Sequence, residues 1–329
     1  MKGIALITGG TGFIGSHLAE EMAHAGWGVR AIVRRPDRLR WLRGLNVEVV
    51  KGDLDDPQSL PAALKGVELV LHCAGLTKAN SHREYMRVNA EGTRALLEAS
   101  IHGGVRRFVY CSSQAAAGPG TVARPRTEAD LPEPLTDYGA SKLAGERVVQ
   151  DTPHLEWLIL RPTVVFGPRD EQFLPLFRMI RKYRRYPAFG GGERLYSWIF
   201  VRDLVSALRT AAETENGLRE IYFAASDQPI TWRGISLTIA SLRNGKIRPL
   251  PTIPLPMLHG IALLSEGVAR LQGRAALFSR QKLAEITAPG WVVNSEKISK
   301  KLGFHCRFEL REALRETLDW YEQQDLLKK

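Results

Sequence analysis

Tyr138 and Lys142 stand four residues apart in Tyr138-Gly-Ala-Ser-Lys142, so on a helix the phenol and the ammonium share one face. A free phenol ionises near pH ~10 and is a poor base at neutral pH. A neighbouring ammonium favours the phenolate and lowers that pKa, which makes the pair a candidate for moving a hydroxyl proton. Spacing alone is a weak signal, because 8 Tyr and 13 Lys leave room for a chance match. Position strengthens it: Cys111-Ser112-Ser113 ends an apolar run upstream, where a serine hydroxyl can polarise a carbonyl oxygen. Read by themselves, the two serines can equally cap the strand end.

A second constellation is Thr8-Gly-Gly-Thr-Gly-Phe-Ile-Gly15, between the apolar run Ile4–Thr8 and a stretch with Leu18 and Met22 on one face. Gly9 permits a tight turn, Gly12 lets backbone approach a pyrophosphate, and Gly15 lets the helix pack on the strand. Thr11, Phe13 and Ile14 complete this phosphate-facing segment, whose helix N-terminus offers free N–H groups. The second strand, Val29–Val33, runs into Arg34-Arg35 with no acid at its end. A carboxylate there would accept from a ribose 2′-OH, whereas an arginine binds a 2′-phosphate. NADP(H) is therefore favoured, with Arg34 as the main contact and Arg35 or Arg38 in support; NAD(H) stays possible. Asp53, followed by Leu54 after the third strand, is placed to accept from the adenine amino group, or else serves its own turn.

These residues need a scaffold that brings strand ends together. Ile4–Thr8, Val29–Val33, Val47–Val50, Leu69–His72, Phe108–Cys111 and Leu158–Leu160 read as strands, with helices such as Ser16–Ala25 and Asn89–Ile101 between them. That alternation predicts an α/β fold with a doubly wound parallel sheet and a ligand crevice at the strands' carboxyl ends. Ser197–Val201 reads as one more strand, Asp203–Ala212 as a helix and Ile221–Ala224 as a last strand; from Pro229 the pattern is mostly helical. The expected division is a dinucleotide-binding domain over 1–167, with 195–228 returning to it. A smaller, mostly helical C-terminal lobe takes 168–194 and 229–329. The lobe's stretch Leu250–Leu271 suits an apolar substrate cavity, although residues of this kind are more often plain core.

Composition sets the outer bounds. With 329 residues, 44% apolar and 25% charged, the chain is globular and not disordered. Cys73, Cys111 and Cys306 lie far apart, which argues against a disulfide framework or a cysteine zinc site; no metal is expected. No run reaches the roughly 18 apolar residues of a transmembrane helix and no signal segment is apparent, so a cytoplasmic protein is expected. The net charge is +11, with a basic run at Arg178–Arg185. That run reads as a solvated helix face, although it suits phosphates or an anionic membrane surface too. No nucleic-acid-binding motif accompanies it, and no nucleic-acid partner is expected.

Taken in order, Thr8–Gly15, Asp53-Leu54, Asn89-Ala-Glu-Gly-Thr93, Ser112-Ser113, Tyr138–Lys142, Leu160-Arg-Pro162 and Phe200-Val-Arg-Asp203 resemble the extended short-chain dehydrogenase/reductase superfamily, in its epimerase/dehydratase-like group. The resemblance spans about residues 1–225 well. It implies a Rossmann-type domain, a nicotinamide cofactor and a Ser-Tyr-Lys site formed by Ser113 (rather than Ser112), Tyr138 and Lys142. Lys142 would also hold the nicotinamide ribose. Pro162-Thr163-Val164 would supply backbone contacts to the carboxamide, and Cys73, Ala74 and Gly75 after the fourth strand complete the cofactor-binding set. Asn89 and Thr93 would tie a helix to the sheet, and His72 is read as structural. A homodimer through the Tyr138–Lys142 helix and the Asn89–Ile101 helix is implied.

Two departures narrow the chemistry. Ser113-Gln114-Ala115 lacks the Asp-Glu pair with which family dehydratases supply acid and base. Tyr196 stands where many UDP-sugar epimerases carry an arginine, although the nearby Arg194 could substitute for it. The chain looks most like the 3β-hydroxysteroid dehydrogenase and dihydroflavonol reductase branch. The expected activity is NADP(H)-linked ketone/alcohol hydride transfer on a bulky, partly apolar small molecule. The alternatives are a nucleotide-sugar 4-epimerase and a non-catalytic NADP(H)-binding regulator.

Overall fold

The computed structural model describes residues 2–153, 155–187, 193–251, 254–272, 276 and 278–328. The first half alternates as its apolar periodicity requires: β1 (Ile4–Thr8), α1 (Phe13–His24), β2 (Gly28–Val33), β3 (Val47–Lys51), α2 (Leu60–Leu64) and β4 (Val67–His72). Then come α3 (His82–Met86), α4 (Gly92–His102), β5 (Arg107–Cys111), α5 (Gln114–Ala117), α6 (Asp137–Gln150), β6 (Glu156–Pro162) and β7 (Val164–Phe166). The second half holds α7 (Leu174–Tyr183), β8 (Arg185–Tyr186), β9 (Leu195–Tyr196), β10 (Trp198–Phe200), α8 (Val201–Glu213), β11 (Glu220–Ala224), β12 (Ile230–Thr231) and α9 (Trp232–Ser241). It ends with β13 (Arg248–Pro249), α10 (Leu255–Leu271), α11 (Arg280–Thr287), α12 (Glu296–Leu302) and α13 (Leu310–Gln323).

Seven strands form one parallel sheet in the order β11-β6-β5-β4-β1-β2-β3. β1, β2, β4, β5 and β6 are almost wholly buried and read as near-continuous apolar runs, whereas the edge strand β3 leaves Glu48 and Lys51 exposed. α1 and α8 close one face around Leu18, Met22, Leu204 and Leu208. On the other, Leu96, Leu97, Val148 and Val149 pack on Val70 and Phe108. Strand order reverses between β1 and β4, and this switch point opens the crevice in which such sheets bind ligands. The fold is the expected Rossmann-type doubly wound sheet, followed by a mostly helical C-terminal portion.

Three local expectations need correction. The strand foreseen at Ser197–Val201 does not join the main sheet: among the described residues β10 pairs in parallel with β7 alone. It sits instead in a second core built by Phe166, Phe177, Trp198, Phe200 and Tyr321. The helix foreseen over Asn89–Ile101 begins at α4, because Arg87–Glu91 form one turn of π-helix between α3 and α4. Leu250–Leu271 does not become core: α10 leaves Met257, Leu264 and Leu271 exposed, and among its apolar residues Ala262 is fully buried.

Candidate active site

The glycine turn fits a dinucleotide on geometry internal to the chain. Gly9 has φ +72°, and a Cβ there would lie 2.8 Å from the Ala74 nitrogen, so only glycine fits against the β4 end. At Gly15 a Cβ would stand 2.3 Å from the Gly9 carbonyl oxygen, which closes the turn on α1. Gly12 is the N-cap of α1 and no side chain caps that end. The first-turn N–H groups therefore remain for an anion, the requirement of a phosphate cradle. Thr11, Phe13 and Ile14 lie in this segment, partly exposed.

The rest of the proposed cofactor set divides. Register places Thr8 opposite Ile32, so Arg34 follows β2 beside the glycine turn. Arg34 and Arg35 are exposed and take part in no salt bridge among the described residues. Asp53 is partly committed: its Oδ1 accepts from the Asp55 N–H at 3.2 Å, the turn role weighed against adenine binding. Leu54 packs beside Gly92. The Cys73 thiol meets that of Cys111 across adjacent strand ends, and the Ala74 N–H donates to Thr8 Oγ1 at 3.1 Å. Gly75 lies against Asn89 Oδ1 and the Lys142 ammonium. The Thr163 and Val164 N–H groups after Pro162 are spent on the carbonyls of Ala224 and Ser197. Any contact from that segment must come through its carbonyl oxygens.

Ser113, Tyr138 and Lys142 converge at the carboxyl end of β5. Ser113 caps α5, its Oγ accepting from the Ala115 N–H at 3.1 Å. Thr136 caps α6 by accepting from the Gly139 N–H, which fixes where Tyr138 enters the helix. α6 then packs very close: a Cβ at Gly139 would lie 2.3 Å from the Ala115 carbonyl oxygen, and one at Gly145 2.4 Å from the Tyr110 hydroxyl. Lys142 is buried, donates to the Cys111 carbonyl at 2.9 Å and sits 4.1 Å from the centroid of the Tyr110 ring.

Lys142 acts on Tyr138 in the expected direction, but burial outweighs it in the chain by itself. Burial pushes the Tyr138 phenol above its ordinary value, while the Lys142 charge and a hydrogen bond with Ser113 pull it back only in part. In the chain by itself the tyrosine is a neutral proton donor. His72 is buried and neutral, its pKa lowered to about 3 by burial and by Lys142. Its ring joins Thr8 Oγ1 at 2.6 Å to Thr93 Oγ1 at 2.9 Å, the structural role expected of it. Asn89 grips the segment after β4 and the α6 helix at once, through Leu76 and Ser141.

Ser112, the other serine, is occupied. Its Oγ donates to Glu146 at 2.5 Å, and Glu146 is held by Arg161 at 2.9 and 2.6 Å, all three buried. Sequence reasoning missed Glu146, although it lies four residues beyond Lys142 on the same helix face. It also missed Tyr85, whose ring lies 6.2 Å from that of Tyr138. Gln281 was missed as well; it bonds both the Asp137 N–H and its carboxylate from 144 residues away. Tyr196 is buried edge-on to Trp232, so it offers nothing for a diphosphate.

The family model described as NAD dependent epimerase/dehydratase family matches residues 5–225. The chain belongs to that family. It is similar to ceramide reductase of Caulobacter vibrioides (strain NA1000 / CB15N), 33% identical over all of this chain and 97% of the relative. It is also similar to the decarboxylating sterol-4-alpha-carboxylate 3-dehydrogenase of Mus musculus, 34% identical over 78% of this chain and 73% of the relative. Among solved structures, the crystal structure of gox2253 superposes with a TM-score of 0.81, at 28% identity over 98% of this chain and 99% of that one. The family and these relatives make the chain an NAD(P)-dependent oxidoreductase.

Proposed function

We propose that this oxidoreductase interconverts a ketone and a secondary alcohol on a bulky, partly apolar substrate, with NADP(H) as its cofactor. The carrying observation is the convergence of Ser113, Tyr138 and Lys142 at the switch-point side of the sheet. Relatives named for ceramide and for a sterol carboxylate support the apolar substrate class. Gln114 beside Ser113 and the burial of Tyr196 count against dehydration and against diphosphate binding.

When bound, the nicotinamide supplies or accepts the hydride. Tyr138 gives its proton to the nascent alkoxide in reduction and removes it in oxidation. Ser113 donates to the carbonyl oxygen and polarises it. Lys142 stabilises the phenolate during transfer; with one donor spent on Cys111, its remaining N–H groups are the ones to hold the nicotinamide ribose. The glycine turn would take the pyrophosphate and Arg34 the 2′-phosphate. Expected activity is NADPH oxidation with apolar ketones and none with UDP-glucose. Conversion of UDP-glucose to its C4 epimer with no net change in nicotinamide absorbance, read by product analysis, would restore the epimerase reading.

Cofactor choice gives a separate prediction. NADPH should bind more tightly than NADH, and Arg34→Ala should erase most of the difference, a loss of about tenfold to a hundredfold for one charge-assisted contact. Calorimetric titration with equal affinities in the unmutated protein would remove Arg34 from the site.

A further inference from the structure

α10 presents an apolar stripe to solvent that its own fold does not use. Met257, Ile261, Leu264, Val268 and Leu271 recur at helical spacing and are between 43% and 90% exposed. The face below them holds the buried Ala262 and rests on α11. The helix has a single carboxylate, Glu266, and Arg280 neutralises it. Monomeric domains rarely leave so continuous an apolar surface without an occupant.

The basic run explains which occupant. β8 pairs with β13, and the ladder continues into the bond from the Leu250 N–H to the Tyr186 carbonyl. This joins two distant cationic segments, so that Lys182, Arg184, Arg185, Lys246 and Arg248 form one exposed cluster. None of the five is in a salt bridge among the described residues, whereas neighbouring Arg181 and Arg243 are both held by Glu322. The cluster is tied to α10: only four residues lie between Leu250 and Leu255, so the two are at most roughly 18 Å of extended chain apart. Tyr183, with its ring exposed, lies inside the cluster.

We propose that α10 and this basic cluster seat the protein on an anionic lipid bilayer, with the helix lying in the interface. Seventeen residues span about 25 Å, and no helix among the described residues is long and apolar enough to cross a membrane. An interfacial helix needs no crossing: its apolar face enters the acyl boundary while nearby cations meet acidic headgroups. A second copy of this chain would bring like charges to the contact and is the poorer occupant. The proposal goes beyond the redox reading and stands without it.

The test is flotation of the full chain with phosphatidylcholine vesicles, with and without phosphatidylglycerol. Binding should require the anionic lipid and weaken with added salt. Ile261→Glu/Leu264→Glu and Arg184→Glu/Arg185→Glu should each lower partitioning by about tenfold or more. Thermal melting and NADPH titration should match the parent, showing that the variants are folded. Absence of vesicle binding, or variants that bind like the parent, would overturn the proposal. So would a stripe variant that converts a dimer to a monomer with no effect on vesicles, because the occupant would then be a second copy.

Discussion

Replacing Tyr138 by phenylalanine should cut turnover by about 10²–10⁴ with little change in cofactor affinity. The substitution removes the hydroxyl and keeps the ring against Tyr85, so shape and packing persist. Lys142→Ala should behave differently, because it removes two functions. NADPH binding should weaken, since the ammonium is the group left to hold the ribose. Turnover should fall, and in the alcohol-oxidation direction, where Tyr138 must ionise to take the proton, it should recover towards higher pH. The sign follows from the opposed influences on Tyr138: burial raises its pKa and Lys142 lowers it, so deleting Lys142 leaves the rise unopposed. Ser113→Ala should slow turnover with neither signature. pH–rate profiles and NADPH titrations on the three variants separate these outcomes, and near-normal activity in Tyr138→Phe would overturn the mechanism.

The second large effect is on stability. Glu146→Leu strips the buried Arg161 guanidinium of its carboxylate and Ser112 of its acceptor. Removing one partner of a buried pair costs about 3–5 kcal/mol, because a charge is left without compensation. One Arg161 nitrogen, Nη1, already has no partner, so the guanidinium has little to fall back on. Urea denaturation should show the loss, and Glu146→Leu/Arg161→Leu should recover much of it by removing both charges. A single variant as stable as the parent would mean that water or a neighbour rescues Arg161.

The sheet and the glycine turn are legible in the sequence because their requirements are local. An apolar run, three glycines and a helix N-terminus impose strand, turn and anion cradle without reference to distant residues. What escaped depends on contacts far along the chain. β10 is as apolar as a sheet strand, and only the aromatic side chains waiting on α7 and α13 direct it elsewhere. The π-helical turn at Arg87–Glu91 has no signature in its residues. The apolar run of α10 resembles core until it is known that few elements pack on it. The direction of the Tyr138 shift depends on how deeply the ring is buried, and the spacing Tyr-x-x-x-Lys says nothing about that.

The two close approaches of α6 have a consequence for how the site comes into being. Gly139 and Gly145 each weaken a helix by roughly 0.5–1 kcal/mol relative to alanine, so α6 is a poor helix in isolation. Its order is borrowed from α5 and from the Tyr110 and Asn89 surface it rests on. The Lys142 amide, inside α6, should therefore exchange with solvent deuterium only when the whole sheet opens. During synthesis the proton-transfer pair cannot assemble ahead of β5. A half-folded chain holding cofactor on its glycine turn would have no means of reacting with it.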